Sequence, residues 1–223
     1  MTNPESRFLV VARHGELENP SGKMYNRDSS VKPEDIIHIS NEGEQQMEAL
    51  GEALLEKGFV ISKIYTSPQT RAVESSKVLS KKLGDVEILI TPDLDEVLAS
   101  GPVEEGMTLD SFFKTTGGNV YDKLRWGKYN HEDPKHVILR MRKVGEEAIK
   151  ELKNGETAIL VSHGDSNAWY LNTLNGEPIP NPANLRNLIY PAKGEAVVLS
   201  ISPDNKFSVI YTLPEHQENR NIY

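Results

Sequence analysis

Short apolar runs alternate with amphipathic helical patterns along this sequence of 223 residues. Phe8–Ala12 is a continuous apolar run, which is typical of a strand that is covered on both faces. Val60–Tyr65 and the apolar stretch Thr157–Ser162 are also expected to be strands, and residues 42–57 and 134–152 carry apolar stripes at helical spacing. The alternation predicts an α/β fold, a three-layer sandwich in which helices flank a mostly parallel sheet.

Caps and prolines mark three helix starts. Ser40 is expected to cap a first helix that Gly58 ends. Ser67-Pro68 is expected to cap and open a second helix that reaches about Leu83, and Asp133-Pro134 opens a third. The remaining strands are expected at Glu87–Thr91, Ala196–Ile201 and Phe207–Tyr211, the last two as a closing hairpin.

Two stretches lack a sustained period. Residues 13–39 contain Pro20, Gly22 and Pro33 and are expected to form a long loop, which is usually a functional feature in a compact domain. Residues 97–133 hold five glycines among aromatic side chains and are expected to form a small inserted cap. Since domains average roughly 150 residues, residues 1–223 are interpreted as a single domain that carries this cap.

Composition narrows the classes of partner. The chain has 33 Asp and Glu against 25 Lys and Arg, so nucleic acid and anionic membranes, which need a basic face, are not expected partners. It has no cysteine, which removes disulfides, thiolate metal sites and cysteine nucleophiles. The run Phe8–Ala12 is far too short to cross a bilayer, and no targeting segment is recognised. A cytoplasmic protein is expected.

Reactive side chains follow three of the predicted strands. Arg13-His14-Gly15 follows the first, the stretch 67–72 with Arg71 follows the second, and His163-Gly164 follows the strand near residue 160. Ligands of open parallel sheets bind beyond the carboxyl ends of the strands. We therefore expect two guanidinium groups and two imidazoles to meet around one point.

This set of groups suits a phosphoryl ligand. Guanidinium groups bind phosphoryl oxygens bidentately, a neutral imidazole can attack phosphorus, and a second imidazole can stabilise the charge that develops. The leaving alkoxide needs a proton from a carboxylic acid, for which the neighbours Asp95 and Glu96 are the two candidates. The residues predict phosphoryl chemistry that requires no metal and no cofactor.

The order and spacing of four motifs resemble the histidine phosphatase superfamily, in the branch of bacterial phosphatases related to cofactor-dependent phosphoglycerate mutase. The resemblance covers nearly the whole chain and implies a phosphoglycerate mutase-like fold. The motifs are Arg13-His14-Gly15, Ser67-Pro68-x-x-Arg71-Ala72, Leu94-x-Glu96 and His163-Gly164.

The resemblance also implies a role for each motif residue. His14 corresponds to the nucleophile that becomes phosphorylated, and Glu96 corresponds to the proton donor. The phosphate pocket would be completed by Arg13, Arg71 and His163, the last of which has a catalytic role. Further expected substrate contacts are Gly164, Asn19 and Arg27.

The sequence departs from the family pattern near the pocket. Leu17 stands where Ser or Thr is often found three residues after the nucleophile, and Pro20 replaces an Asn, with Asn19 one place early. The gap to the pair Glu105-Gly106 is also longer than usual. Because these positions surround the substrate, the resemblance does not identify the ester.

The predicted function is hydrolysis of a small phosphorylated metabolite through a phosphohistidine, as in a histidine acid phosphatase-type phosphomonoesterase. A cofactor-dependent phosphoglycerate mutase remains an alternative, although it would need extra basic groups for a second phosphate. A non-catalytic module that binds phospho-ligands is another, although it would need no proton donor. The expected partner is the small substrate, and a homodimer stays open. The basic residues that the expected cap could offer to the second phosphate of a mutase substrate are Lys114, Lys123, Arg125 and Lys128.

Overall fold

The computed structural model contains a six-stranded sheet and, among the residues that it describes, four helices and a separate two-stranded ribbon. Most of the cap expected at residues 97–133 lies outside the described residues. The described ranges are 6–99, 107–108, 110–111, 114 and 132–214. The elements in chain order are β1 (Arg7–Arg13), β2 (Leu17–Glu18), β3 (His38–Ile39), α1 (Asn41–Glu56), β4 (Val60–Thr66), α2 (Thr70–Lys82), β5 (Ile88–Ile90), α3 (Pro134–Glu151), β6 (Glu156–Ser162), α4 (Gly164–Leu171), β7 (Ala196–Ile201) and β8 (Phe207–Leu213).

The sheet has the strand order β5-β4-β6-β1-β7-β8. The first four strands pair in parallel, whereas β7 is antiparallel to both β1 and β8. The predicted α/β sandwich with a mostly parallel sheet and a closing hairpin is confirmed. No helix among the described residues combines the length and apolar character needed to cross a membrane.

Each central strand contributes side chains to two separate cores. Leu9 and Val11 of β1 pack with α3 and α4 on one face, while Phe8 and Val10 pack with α1 and α2 on the other. Successive side chains of a strand point to opposite faces, so a continuous apolar run means that both faces are covered. The continuous apolar run Phe8–Ala12 therefore predicted correctly that β1 is covered on both faces.

The register of the sheet brings the ends of three parallel strands together. Arg13 at the end of β1 pairs with Ser162 at the end of β6, and Thr66 at the end of β4 pairs with Val161. The amide of His14 then donates to the carbonyl of Ser162 at 3.1 Å. The motifs that follow these strands therefore begin at one edge of the sheet.

Two of the predicted helix starts are confirmed, and one is wrong. The hydroxyl of Ser40 accepts from the amide of Gly43 at 3.1 Å, and the carboxylate of Asp133 accepts from the amide of Lys135 at 2.8 Å. Ser67-Pro68, however, precedes the helix, since α2 begins at Thr70.

A carboxylate from the long loop takes the place of the expected cap of α2. Oδ2 of Asp28 accepts from the amide of Thr70 at 2.6 Å. An anion at a helix N-terminus is favoured by the helix dipole and by the free amides there. The stretch 13–39, expected to be a plain loop, also forms the short ribbon of β2 and β3.

Candidate active site

His14 lies directly after β1, and its side chain is buried. Its Nδ1 lies 2.8 Å from the carbonyl oxygen of Gly15. Because a carbonyl oxygen can only accept, Nδ1 carries the proton, and the neutral ring keeps its lone pair on Nε2. The amide of Gly15 donates to the hydroxyl of Ser75 on α2 at 3.0 Å, which fixes the loop. Nε2 of His14 is therefore available as a nucleophile.

His163 lies at the start of α4, directly after β6, and is fully buried. Its ring meets the ring of His14 edge to face, with the centroids 5.2 Å apart. Nε2 of His163 lies 2.9 Å from the hydroxyl of Ser67, while Nδ1 has no hydrogen-bond partner among the described residues. An unpartnered buried polar atom in a native structure calls for an explanation, and a bound ligand is one.

Arg13 is held by packing against an aromatic ring. Its guanidinium carbon lies 5.6 Å from the centroid of the Tyr190 ring, and Nη1 donates to the carbonyl of Pro191 at 3.3 Å. Tyr190 in turn donates its hydroxyl to Asp165 at 2.6 Å. A Cβ on Gly164 would lie 3.0 Å from the guanidinium carbon and would overlap the tyrosine hydroxyl. The glycine therefore makes room for the groups that orient Arg13.

Arg71 lies in the first turn of α2 and is also buried. Its Nη1 has no hydrogen-bond partner in the described part of the chain. Burial lowers the pKa of Arg71, while the nearby Glu96 acts in the opposite direction. Since a guanidinium stays protonated in proteins, Arg71 offers a buried cation with a free N–H, which favours an anionic ligand.

Glu96 follows the turn at residues 92–94, and its carboxyl is held by donors. Its Oε1 accepts from the amide and the hydroxyl of Ser166, both at 3.1 Å, and from the amide of Val97 at 2.9 Å. Burial, and then the charge of Asp165, raise the pKa of Glu96. This carboxyl therefore keeps its proton to a higher pH than an ordinary glutamate does, as a general acid requires.

Asp95 has different surroundings from its neighbour Glu96. It is only 3% exposed, and its Oδ1 accepts from the hydroxyl of Ser67 at 2.8 Å. Burial raises the pKa of Asp95, whereas the bond from Ser67 and the charges of Arg140 and Arg27 lower it. The two candidate acids of the sequence analysis are thus distinguished by the groups that they bind.

The imidazoles are neutral and the cations around them are fixed. Burial lowers the pKa of both His14 and His163 well below 6.5, and the charge of Arg71 is the second cause in each case. Arg13 lowers both values further, and Lys193 lowers that of His14. The site therefore combines unprotonated ring nitrogens with permanent positive charge.

The two predicted rim residues lie in different positions. Nε of Arg27 is 3.9 Å from the carboxylate of Asp95, and the arginine side chain is 58% exposed, so it lies beside the cluster. Asn19 is engaged in its own turn, where its amide nitrogen donates to the carbonyl of Lys23 at 3.0 Å and its oxygen accepts from Ser21. The structure brings Arg27 to the site, while a substrate contact by Asn19 stays a prediction.

Sequence reasoning missed several residues that hold the site. Ser67 had been interpreted as a helix cap, although its hydroxyl joins His163 to Asp95. Asp165 directly follows the second histidine motif, so its position in the chain could have suggested it. Tyr190 and Arg140 carry no local signal, because tertiary packing alone brings them to the site.

Potential metal ligands are not grouped in the described residues. No set of three or more His, Asp or Glu side chains there is placed to hold a metal ion, and the chain has no cysteine. The two imidazole rings meet edge to face, His163 also contacts the hydroxyl of Ser67, and arginines lie nearby. The arrangement is that of an anion site.

Fold and site together define an α/β protein that gathers two imidazoles, two guanidinium groups and a carboxyl group at one sheet edge. A model of the histidine phosphatase superfamily (branch 1) matches residues 9–209. The chain belongs to this superfamily, and the resemblance inferred from the motifs is confirmed.

Curated relatives include a mutase, a mutase-like protein and an uncharacterised protein. The chain is 26% identical over 197 residues to a 2,3-bisphosphoglycerate-dependent phosphoglycerate mutase of Methylobacterium sp. (strain 4-46), which covers 78% of this chain and 85% of the relative. It is 31% identical over 101 residues to phosphoglycerate mutase-like protein 4 of Arabidopsis thaliana, which covers 41% of each. The match thus spans only about two fifths of the length of that plant relative and of an uncharacterised protein, Rv0525, from Mycobacterium tuberculosis.

Solved structures share the fold at low sequence identity. Bacillus stearothermophilus YhfR has a TM-score of 0.71 at 20% identity and covers 91% of this chain and 95% of its own. A mycobacterial glucosyl-3-phosphoglycerate phosphatase has a TM-score of 0.68 at 21% identity, covering 92% and 97%. A putative alpha-ribazole-5'-P phosphatase from Escherichia coli has a TM-score of 0.64 at 18% identity, covering 97% and 99%. These likenesses confirm the phosphoglycerate mutase-like fold.

Proposed function

We propose that this protein hydrolyses a small phosphomonoester through a phosphohistidine at His14. The observation that carries the proposal is the tautomer of His14. Its Nδ1 proton is bound to the Gly15 carbonyl, so the lone pair lies on a buried Nε2 beside Arg13 and Arg71. A neutral imidazole next to fixed cations is suited to attack a phosphorus atom whose oxygens those cations bind.

The first step transfers the phosphoryl group to the protein. Nε2 of His14 forms a bond to phosphorus while the bond from phosphorus to the ester oxygen breaks. The leaving oxygen takes the proton of the Glu96 carboxyl, whose pKa is raised by burial and by the charge of Asp165, so that it holds this proton to a higher pH than an ordinary glutamate does. Arg13, Arg71 and His163 hold the phosphoryl oxygens through this step.

The second step returns the protein to its starting state. The Glu96 carboxylate takes a proton from a water molecule, whose oxygen attacks phosphorus. The bond between phosphorus and Nε2 breaks, the electron pair returns to His14, and inorganic phosphate leaves. No metal ion or cofactor is needed to balance these steps.

The superfamily membership and the phosphatase names among the solved structures of the same fold support this proposal. The ester itself is undefined, and a screen of phosphorylated metabolites is the way to find it. Gly164 supports binding by letting Arg13 approach the start of α4. Arg27, beside Asp95, is proposed to contact the part of the substrate outside the phosphoryl group.

The test is turnover of p-nitrophenyl phosphate by the purified protein and by His14→Ala. We expect the wild type to turn over in the presence of EDTA, to be inhibited by vanadate and to yield an acid-labile phosphoprotein on rapid quenching. His14→Ala should lose turnover and labelling, whereas the surface variant His136→Ala should keep both. Phosphate binding without turnover of any monoester would instead indicate a non-catalytic module.

A phosphoglycerate mutase is the second candidate, because the Methylobacterium mutase matches 78% of this chain. A mutase must keep its phosphohistidine long enough for the substrate to reorient, whereas a phosphatase exposes it to water. Conversion of 3-phosphoglycerate to 2-phosphoglycerate, measured with and without a bisphosphate primer, separates the two. Conversion that depends on the primer and exceeds phosphate release would favour the mutase.

A further inference from the structure

The second histidine of the site lies at one end of a hydrogen-bonded chain that ends on a buried carboxylate. Nε2 of His163 is 2.9 Å from the hydroxyl of Ser67, and that hydroxyl is 2.8 Å from Oδ1 of Asp95. His163 and Ser67 are fully buried, and Asp95 is 3% exposed. Water therefore has little access to the chain.

The donors and acceptors along this chain determine which ring nitrogen of His163 carries the proton. The Ser67 hydroxyl has one proton, and an ionised Asp95 can only accept, so the serine donates to Asp95. Nε2 of His163 must then donate to the serine, which leaves Nδ1 of the neutral ring with a lone pair. This Nδ1 is the ring nitrogen that has no partner among the described residues.

A phosphoryl dianion offers only acceptors, so it cannot bind an unprotonated Nδ1. Binding becomes favourable when Nδ1 also carries a proton and the ring is an imidazolium. Monoesters release their second proton near pH 6, so a monoanion can bring this proton on its own oxygen. The proton then moves from the phosphoryl oxygen to Nδ1, which balances the step without another reagent.

The positive groups around His163 oppose this protonation. Arg13 of β1, Arg71 of α2 and Arg140 of α3 all lower the pKa of the ring, as does the neighbouring His14. Asp95 is the negative group that is joined to the ring through hydrogen bonds. Burial raises the pKa of Asp95, whereas the bond from Ser67 and the facing groups Arg140, Arg27 and Gln69 favour its ionised form.

We propose that Asp95 is a positioning residue that acts through Ser67: it holds His163 with Nε2–H toward the serine and stabilises the imidazolium that binds the phosphoryl group. A carboxylate that orients a catalytic histidine and supports its charged form is an established device in other enzymes. Here the serine hydroxyl lies between the two groups. The inference rests on the proposed phosphoryl site, but the first of its two tests does not depend on turnover.

The first measurement is the ¹⁵N NMR spectrum of the His163 ring in the wild type, with and without inorganic phosphate. We expect the Nε2–H tautomer in the free protein and both nitrogens protonated in the phosphate complex at neutral pH. Asp95→Asn keeps an oxygen that can accept from Ser67 but removes the charge. The imidazolium of its phosphate complex should therefore lose its proton about one pH unit lower than in the wild type.

The second measurement is the pH profile of p-nitrophenyl phosphate turnover, since this ester has a good leaving group and depends little on Glu96. In Asp95→Asn and in Ser67→Ala, activity should fall at a pH about one unit lower than in the wild type, a roughly tenfold loss at pH 8. Asp93→Asn makes the same chemical change two residues away, where the carboxylate binds Lys143 at 2.8 Å, and should leave the profile unchanged.

The outcomes separate the two proposals. A wild type that shows the expected ring states but hydrolyses no monoester would overturn the proposed function and support the role of Asp95. An active wild type whose His163 carries its proton on Nδ1 when free, or whose ring titration is the same in Asp95→Asn, would overturn the role of Asp95 alone.

Discussion

The backbones of Gly15 and Gly43 are in direct contact beside His14, the proposed nucleophile. A Cβ added to Gly15 would lie 2.5 Å from the carbonyl oxygen of Gly43, and one added to Gly43 would overlap the carbonyl of Glu16. Gly43 is in the first turn of α1, and Gly15 follows His14. The start of α1 therefore packs closely against the loop that carries His14.

Gly43→Ala should disrupt this contact. The added methyl group meets backbone rather than a flexible side chain, so the loop or the helix start must shift. Overpacking of this kind costs about 1–3 kcal/mol of the free energy of unfolding. We expect that loss in urea denaturation, together with a fall in kcat, because the carbonyl that orients the His14 ring belongs to Gly15.

Gly51→Ala in the same helix is the matched control. Its new methyl group would meet Cγ of Lys82 at 2.7 Å and Cβ of the same residue at 3.1 Å, so the lysine must shift, but these contacts are with side-chain atoms rather than with backbone. Alanine in a helix interior is favoured over glycine by about 0.5–1 kcal/mol, which offsets part of the cost of moving the lysine, so this variant should lose less stability than Gly43→Ala and stay fully active. Equal stability of the two variants would contradict the role given to the Gly15–Gly43 contact.

The fold and the four motifs could be predicted because their signals are local. The apolar run of β1 indicated two covered faces, and the motif positions after β1, β4 and β6 predicted a common sheet edge. Ser67 shows where local signals fail. A serine followed by proline is an ordinary helix start. Here, however, Asp28 from a distant loop binds the first amide of α2, and the hydroxyl of Ser67 contacts His163 in the site instead.

Arg140 and Tyr190 illustrate a different limit. Each reaches the site from an element that carries no motif, and each acts through backbone carbonyls or through packing against another side chain. Such contacts depend on how layers stack, which hydrophobic periodicity does not encode. Most of residues 97–133 lie outside the described residues, so the prediction that they form a cap stays untested.

Asp165→Asn should shift the pH dependence of the acid step. The negative charge of Asp165 helps to raise the pKa of Glu96, so its removal lowers that pKa. Glu96 must be protonated to act as an acid, and activity is lost as pH rises through its pKa. For an alkyl phosphate, whose leaving oxygen needs a proton, the alkaline limb of kcat should therefore move to lower pH.

Two comparisons check this assignment. Glu96→Gln should lower kcat for the alkyl phosphate by about 10²–10⁴-fold and should affect p-nitrophenyl phosphate much less. In Asp165→Asn with Glu96 intact, the shift should likewise be larger for the alkyl ester. A shift of the same size for both esters would mean that Asp165 acts on another group.

Arg140→Lys should weaken the segment that carries Asp95 and Glu96. The guanidinium donates to the carbonyls of Asp93 at 2.9 Å and Asp95 at 2.7 Å, and it pairs with Glu132 at 2.8 Å. A lysine keeps the charge but cannot make these bonds together, and losing a hydrogen bond that involves a charged group costs about 1.5–3 kcal/mol. We expect such a loss in urea denaturation and a lower kcat.

Arg142→Lys on the same helix provides the comparison for Arg140. Nη2 of Arg142 donates to the carbonyl of Thr173 at 2.7 Å, so its replacement should cost only about 1 kcal/mol and spare kcat. If the two variants lost equal stability and activity, the loop between β5 and α3 would not depend on Arg140.

Acid should destabilise the protein through its buried histidines. The pKa of His14 and of His163 is well below 6.5 in the folded state, so between 6.5 and the lowered values the unfolded chain binds protons that the folded chain does not. The contribution of these histidines to the free energy of unfolding is fully present above pH 6.5. Below pH 6.5 it falls by up to about 1.4 kcal/mol per pH unit for each histidine. The raised pKa values of Asp95 and Glu96 act in the opposite direction, since the folded state then keeps protons that the unfolded chain releases.

His14→Asn isolates one of these contributions. The asparagine amide can still donate to the Gly15 carbonyl but does not titrate. At pH 8, where histidine is neutral in both states, urea denaturation of the variant and the wild type measures the change in packing alone. As the pH falls from 6.5 to 5.5, the wild type should lose about 1 kcal/mol more than the variant. Parallel stability curves for the two proteins would mean that His14 titrates in the folded protein as it does in the unfolded chain, which would contradict the lowered pKa that keeps Nε2 unprotonated.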